Sequence, residues 1–313
     1  MGIVALLAAS VAAGATAGAA QPPPILFTSD RPDYDLVALR LDGGSQLRLT
    51  RGFPQDEQPA WSPDGTRIAF TRDSTCSALP RPTDRRGSGA WSPDGRRIAF
   101  RLRDRHGCFL ALRWPATGRT LRLAHVSGPA SCSDRPAWSR DGRRIVYASA
   151  SDLWTIASGG GRPVRITSTP KAVELGPRWR PDGTLTYHDR ASIWLLAAGG
   201  TPAVLVAAGQ TFAWSHRGGR LAYIDASGSL VVRSPAGDDT TLVSFPGTDE
   251  TGDFATDPSW SPDDRRIAFT VPPDPSDRFG EPSVAVIDVA SRRLHVVAES
   301  GDQWGSWSPD SRG

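Results

Sequence analysis

Lysine is almost missing from this chain: of 36 basic side chains, only Lys171 is not an arginine. That bias reflects genomic base composition and carries no functional message. Long runs of helical periodicity are also missing after residue 20, which argues for an all-β protein. Five histidines are present: His106, His125, His188, His216 and His295. None sits in a His-Glu-x-x-His pattern, and there is no Gly-x-Ser-x-Gly elbow or phosphate-cradling loop. The net charge is only +3. No recognition helix or aromatic-basic motif accompanies the pI near 9.0, so nucleic acid is a poor partner.

What is abundant is turn chemistry, with 32 glycines and 27 prolines in 313 residues. It is organised by one stretch, Trp61-Ser62-Pro63-Asp64-Gly65-Thr66-Arg67-Ile68-Ala69-Phe70, which returns nearly unchanged from Trp91 to Phe100. Looser copies begin at Trp138, Trp179, Trp214 and Trp260, and a cut-off copy at Trp307. The seven tryptophans lie 30, 47, 41, 35, 46 and 47 residues apart. Such spacing marks four-stranded propeller blades. Within a copy, a short strand ends at Trp-Ser and Ser-Pro-Asp-Gly makes the turn. Proline presets φ there, and glycine takes the positive φ. Arg-Ile-Ala-Phe then alternates, with Ile68 and Phe70 expected on one face and Ala69 on the other. An indole at one fixed point per unit suits a wedge between neighbouring blades, so the tryptophans are read as packing anchors.

Two further strand-like runs follow most hairpins, such as Phe109 to Trp114 with Thr120 to Ala124, and Leu230 to Arg233 with Thr241 to Phe245. Near the N-terminus, Ile25-Leu26-Phe27 matches the second strand of a unit with no tryptophan turn before it. At the other end, Trp307 to Asp310 is an inner strand and turn with no strand after it. The fragments complement each other, so the C-terminal strand is expected to pair with the N-terminal ones and close the ring. The second unit is short, and 73–88 lacks a strand pattern. About seven blades are expected, one of them atrophied, with six as the alternative.

Residues 1–20 carry no charge, are rich in Ala, Leu and Val, and end in a small-x-small site. They read as a secretory signal peptide, with an uncleaved membrane anchor as the alternative. A Pro-rich spacer at 21–24 leads into a single propeller domain at 25–313. The expected location is therefore periplasmic, cell-envelope or secreted.

Laid on a blade topology, the charges separate. Loops on one face carry Asp56, Glu57, Asp134, Glu174, Asp249, Glu250, Asp253, Asp257 and Asp302, joined by Asp35, Asp152 and others. The Ser-Pro-Asp-Gly turns carry Arg67, Arg96, Arg97, Arg143, Arg144, Arg220, Arg265 and Arg266 on the opposite face. An acidic mouth of this kind is a candidate surface for a partner. In an oxidising compartment Cys108 and Cys132 form a candidate disulfide, leaving Cys76 free. No metal-ligand spacing is met, and no cofactor is expected.

The Trp-Ser-Pro-Asp-Gly-x-Arg-Ile-Ala-Phe repeat resembles the blades of TolB-like, or PD40-type, bacterial β-propellers. The strong matches are 59–70, 89–100, 136–147 and 258–270. The weaker ones are 177–187 and 212–223, where Trp179-Arg180-Pro181-Asp182-Gly183 and Trp214-Ser215-His216-Arg217-Gly218 depart from the pattern. The resemblance implies an envelope protein that binds partner proteins. TolB itself carries an additional N-terminal α/β domain, for which this chain leaves no room. Similar propellers precede the hydrolase domain of prolyl-oligopeptidase relatives. Others form oligosaccharide lyases with a histidine and metal site in the funnel, and no residue here matches that site. The expectation is thus a monomeric, non-catalytic scaffold for another envelope or secreted protein. The alternative is a funnel-site enzyme or binding protein for oligosaccharide.

Overall fold

The computed structural model describes residues 2–8, 25–29, 35–39, 47–52, 55–73, 89–128, 134–169, 173–180, 182–189, 191–197, 202–207, 209–245, 256–271, 283–298 and 302–307. Every regular element among them is a strand. The chain divides into two compact units, Met1–Ala5 with Phe70–Gln210, and Leu6–Ala69 with Thr211–Gly313.

Seven sheets are formed among the described residues, numbered here in chain order. Sheet 1 contains Ile25–Ser29, Asp35–Leu39 and Leu47–Arg48, with Asp302–Trp307 added beside Ile25–Ser29. Sheet 2 contains Gln55–Trp61 and Arg67–Asp73, with Gly2–Ala8 as a third strand. Sheet 3 runs through Ala90–Trp91, Ile98–Asp104, Gly107–Arg113 and Thr120–Val126. Sheet 4 runs through Ala137–Trp138, Arg144–Ser149, Asp152–Ala157 and Val164–Arg165. Sheet 5 comprises Leu175–Trp179, Leu185–His188, Ser192–Leu196 and Ala203–Ala207. Sheet 6 comprises Gly209–Trp214, Leu221–Asp225, Leu230–Arg233 and Asp239–Val243. Sheet 7 comprises Thr256–Trp260, Arg266–Val271, Ser283–Asp288 and Leu294–Ala298.

Sheets 3 to 7 are antiparallel meanders in which each strand pairs with the next in sequence. Sheet 1 is assembled from both ends of the sequence. Ile25 lies opposite Trp307 and Ser29 opposite Asp302, so the expected pairing of the two terminal fragments is present. The strand expectations hold to within a few residues. Residues 9–20, the remainder of the proposed leader, the spacer at 21–24, and 74–88, most of the short unit, lie outside the described residues. None of the described elements is a helix long and apolar enough to cross a membrane.

Adjacent sheets within each unit share a hydrophobic layer. Leu110 and Leu112 of sheet 3 meet Trp138, Tyr147 and Ile156 of sheet 4. Val146 and Leu153 of sheet 4 meet Leu185 and Tyr187 of sheet 5. Ile224 and Leu230 of sheet 6 meet Trp260, Phe269 and Ile287 of sheet 7. Ala268, Val284 and Val286 of sheet 7 meet Ile25, Val37 and Leu39 of sheet 1.

The second strands are therefore buried on both faces, which alternation alone did not imply. Ile98, Ala99 and Phe100 are all buried, as are Ile267, Ala268 and Phe269. The alanine is not the solvent side of a half-exposed strand. It is the small residue that lets the next sheet approach.

Candidate functional site

The turns at the Ser-Pro-Asp-Gly end are closed units. In the first, the buried Ser62 hydroxyl donates to Asp64 at 2.5 Å and accepts from the Arg67 N–H at 2.9 Å. The Thr66 N–H donates to the same carboxylate at 3.1 Å, and Gly65 sits at φ 67°. The same pattern recurs at Ser92 with Asp94, Ser139 with Asp141, and Ser261 with Asp263. The Ser62 hydroxyl bond, together with the Thr66 bonds and Arg67, holds the Asp64 carboxyl down at about 2. The serine bond likewise lowers Asp94 and Asp141.

Two arginines placed by the sequence on the basic surface instead clamp neighbouring sheets. The Arg97 guanidinium of sheet 3 lies 4.9 Å from the ring centroid of Trp138 in sheet 4. It also donates to the carbonyls of Gly142 and Ser158 at 3.3 Å each. The Trp138 indole N–H returns a bond of 2.9 Å to the carbonyl of Ala90, the residue before Trp91. Sheets 6 and 7 repeat the arrangement. Arg220 lies 4.7 Å over Trp260 and donates to the Asp264 carbonyl at 2.5 Å, while the Trp260 N–H donates to the carbonyl of Ala213 at 3.1 Å. These two indoles are filled on one face by a cation and tied at the nitrogen. The arginine two residues after the turn glycine is part of the repeat for that reason.

At the opposite strand ends, several carboxylates read as surface charge are internal. Asp56 is 1% exposed and Glu174 is 1% exposed. Glu174 accepts from the Leu153 N–H at 3.1 Å and from the hydroxyls of Thr167 and Thr169. Asp35 and Asp152 are also buried and take Arg48 and Arg165 as ion-pair partners. Both start the sequence Asp-Leu, with the partner at Arg-(Leu/Ile)-Thr thirteen residues later. The threonine hydroxyl accepts the leucine N–H, from Leu36 to Thr50 at 2.9 Å and from Leu153 to Thr167 at 2.8 Å. This internal use of charge takes these four acids out of an acidic mouth. The side chains of Glu57, Asp249, Glu250, Asp253, Asp257 and Asp302 lie outside the described residues.

Asp134 is the remaining member of that set, and it anchors a polar cluster spanning sheets 3, 4 and 5. Its Oδ1 accepts the Gly176 N–H at 2.9 Å, and its carbonyl accepts Arg101 Nε at 3.1 Å. Arg101, only 6% exposed, also donates from Nη2 to the Ala148 carbonyl at 2.8 Å and stacks over Tyr147. Among the described residues, the buried atoms Arg101 Nη1 and Asp134 Oδ2 have no hydrogen-bond partner. Burial pushes the Asp134 carboxyl up, against the pull of Arg101 and Arg178, and pushes the Arg101 guanidinium down. Gly176 is required where it stands. Its φ is 59°, and a Cβ there would meet the His188 ring at 2.8 Å.

No family model matches the chain. A TolB homologue of Chlorobium luteolum is 26% identical over 164 residues, 51% of this chain and 30% of the relative. The matched segment is therefore under a third of that relative's length. TolB from Acinetobacter baumannii superposes with a TM-score of 0.60 at 15% identity, over 92% of this chain and 67% of that one. This chain shares the β-propeller fold of TolB. Oligogalacturonate lyase from Vibrio parahaemolyticus shares the fold with a TM-score of 0.62 at 14% identity, over 87% and 88% of the two chains.

Within this propeller fold the histidines are dispersed. His125 is exposed on the outermost strand of sheet 3, edge-on to Phe109, whereas His188 ends the second strand of sheet 5. His106, His216 and His295 are exposed. Among the described residues, no three His, Cys, Asp or Glu side chains form a metal-sized group. Cys108 is buried and disulfide-bonded. Cys76 and Cys132 lie outside the described residues. The large hydrophobic side chains most open to solvent are Leu47, Val164, Val204, Leu294 and Val296. Each lies on the outermost strand of its sheet. Sequence reasoning missed them, because period-2 alternation does not reveal which strand has no neighbour.

Proposed function

We propose that the protein is an exported, non-catalytic propeller that acts as a monomeric scaffold for another envelope or secreted protein. The observation that carries this reading is the distribution of apolar surface. Side chains 38% to 57% exposed sit on outermost strands of sheets 1, 4, 5 and 7, while most described loop-end acids are consumed internally. Exposed apolar strand edges are pairing surfaces for other chains. Export is supported by the disulfide-bonded Cys108, since structural disulfides persist in oxidising compartments.

The test is cross-linking in intact cells followed by affinity capture from envelope extract. The expected result is a stoichiometric partner retained by the wild-type chain. Capture should fall when Leu47, Val164, Val204 and Val296 are all replaced by charged residues. Equal capture by wild type and variant would overturn the reading. An oligosaccharide-acting protein is the second reading, favoured by the extent of the fold shared with oligogalacturonate lyase. Release of unsaturated sugar from oligogalacturonate, followed by ultraviolet absorbance, would establish it instead.

A further inference from the structure

In four sheets an ion pair ties the outermost strand back into its own sheet, onto the adjacent strand in sheets 1, 4 and 6 and onto the second strand in sheet 3. Arg48 meets Asp35 at 3.3 Å, Arg165 meets Asp152 at 2.6 Å, Asp239 meets Arg233 at 2.9 Å, and Arg122 meets Asp104. Such charges guard an edge against pairing with another chain. The outermost strand of sheet 7, Leu294–Ala298, reads Leu-His-Val-Val-Ala and holds no Asp, Glu, Lys or Arg. Leu294 is 38% exposed and Val296 is 53% exposed. Two residues apart on a strand, they share one face. Val297 takes the other face and packs on Val37, Leu39 and Val284.

Charge is concentrated just before this strand. Arg292 and Arg293 are both exposed, and among the described residues neither has an acidic partner. Arg265 is exposed beside them, because its carbonyl accepts the Val289 N–H at 2.9 Å from the same connection. The connection is fixed: the Asp288 carboxylate accepts the Ser291 N–H at 2.8 Å, and Arg292 adopts φ 55°. Among the described residues the edge therefore offers an open backbone ladder, two apolar side chains on one face, and a cationic start with no acidic partner.

We propose that this edge is a docking strand for an extended acidic and apolar segment of a partner protein. The segment adds to Leu294–Ala298 by backbone pairing, sets its apolar side chains over Leu294 and Val296, and places carboxylates against Arg292 and Arg293. Backbone bonds supply the affinity of such strand addition and alternate side chains its specificity. The inference rests on the scaffold reading and assigns that scaffold a surface and a partner chemistry.

The test uses the purified protein and two labelled peptides, Asp-Asp-Val-Thr-Val-Thr-Val and Lys-Lys-Val-Thr-Val-Thr-Val, read by fluorescence anisotropy and by hydrogen exchange. The acidic peptide should bind at least tenfold more tightly than the basic one, weaken with added salt, and slow exchange over residues 294–298. Val296→Lys and the pair Arg292→Glu with Arg293→Glu should each lower its affinity at least tenfold. Thr240→Lys, exposed on the guarded outermost strand of sheet 6, should leave it unchanged. Equal binding of both peptides, no effect of Val296→Lys, or protection confined to another strand would overturn the proposal. So would self-association abolished by Val296→Lys, or binding to phosphatidylglycerol vesicles without peptide binding. If the acidic peptide binds here while cells yield no captured partner, the edge assignment stands and the scaffold reading falls. If a partner is captured equally by Val296→Lys and the peptide does not bind, the scaffold stands and the edge assignment falls.

Discussion

The carboxylate of Asp264 accepts the backbone N–H groups of His216 at 2.6 Å and Arg217 at 3.1 Å, and so completes a turn that belongs to the preceding sheet. That turn reads Ser215-His216-Arg217-Gly218 and has no aspartate of its own. Asp264 in turn stands where the other units have glycine, at φ 58° against 67° for Gly65 and 64° for Gly95. Two departures from the repeat are thus one substitution in space. A non-glycine residue in this region costs about 1–2 kcal/mol, and hydrogen bonds to a charged group return about 1.5–3 kcal/mol. Asp264→Gly, although it restores the repeat, should destabilise the protein by about 1–2 kcal/mol in chemical denaturation. Asp264→Asn should cost less, since it keeps an acceptor and tolerates the left-handed backbone. A stabilised Gly variant would show that the carboxylate contributes nothing.

The stacked arginines give a second expectation. Arg97→Ala or Arg220→Ala removes a desolvated cation–π contact and bonds to carbonyls, a loss of about 2–4 kcal/mol. Lysine should not rescue either position, because only a planar guanidinium can both stack and donate sideways. Arg96→Ala, exposed on the same turn as Arg97, should change stability by less than about 0.5 kcal/mol. Equal effects at Arg96 and Arg97 would mean that the clamp is not formed in solution.

This contrast shows where reading the sequence succeeds. The tryptophan period, the Ser-Pro-Asp-Gly turns and the complementary ends all state local rules, so strands and their order were legible. The roles of Arg97 and Arg220 depend on the adjacent sheet, about 40 residues away along the chain, and that of Glu174 on the sheet before its own. A charged residue next to a turn reads as solvated unless that neighbour is known. The recurring interval from Asp-Leu to Arg-(Leu/Ile)-Thr was a usable signal for Asp35 and Asp152, since constant spacing between opposite charges implies a pair. Nothing local marks Arg101 as buried.

Acid should weaken the protein through its turns. Asp64, Asp94, Asp141, Asp182, Asp263 and Asp288 all have carboxyls held below the usual carboxylate range. A depressed folded-state pKa contributes stability that is complete above the unfolded value, about 3.9 for aspartate. It is lost as pH falls through the folded value, which for Asp64 is about 2. Denaturation midpoints should therefore be level above about pH 5 and fall between about pH 4 and pH 2. Ser62→Ala combined with Ser92→Ala should flatten that fall. An unchanged slope would locate the acid sensitivity elsewhere.

At the opposite strand ends, the cluster of Asp134 and Arg101 is a buried charge arrangement with one unpaired atom on each partner. Asp134→Ala leaves the Arg101 guanidinium without its counter-charge, a change worth about 3–5 kcal/mol when one member of a buried pair is removed. Asp134→Asn retains an acceptor for the Gly176 N–H and should fall between the two. Replacing both, as Arg101→Leu with Asp134→Leu, should cost less than Asp134→Ala alone. A double variant no better than the single one would mean that the two charges act independently.

The last expectation concerns the disulfide of Cys108. Its strand residue pairs with Arg103 on one side and Val126 on the other. Cys132 follows Val126 by six residues in sequence, so it is the expected partner, while Cys76 precedes sheet 3 altogether. A bridge closing a loop of about 25 residues contributes roughly 3 kcal/mol, chiefly by restricting the unfolded chain. Non-reducing peptide mapping should recover a linked peptide containing Cys108 and Cys132, with Cys76 alkylated as a free thiol. Cys108→Ser and Cys132→Ser should then lower stability equally, and reductant should affect neither variant further. A linked peptide containing Cys76 would place the bridge between sheets 2 and 3 in sequence.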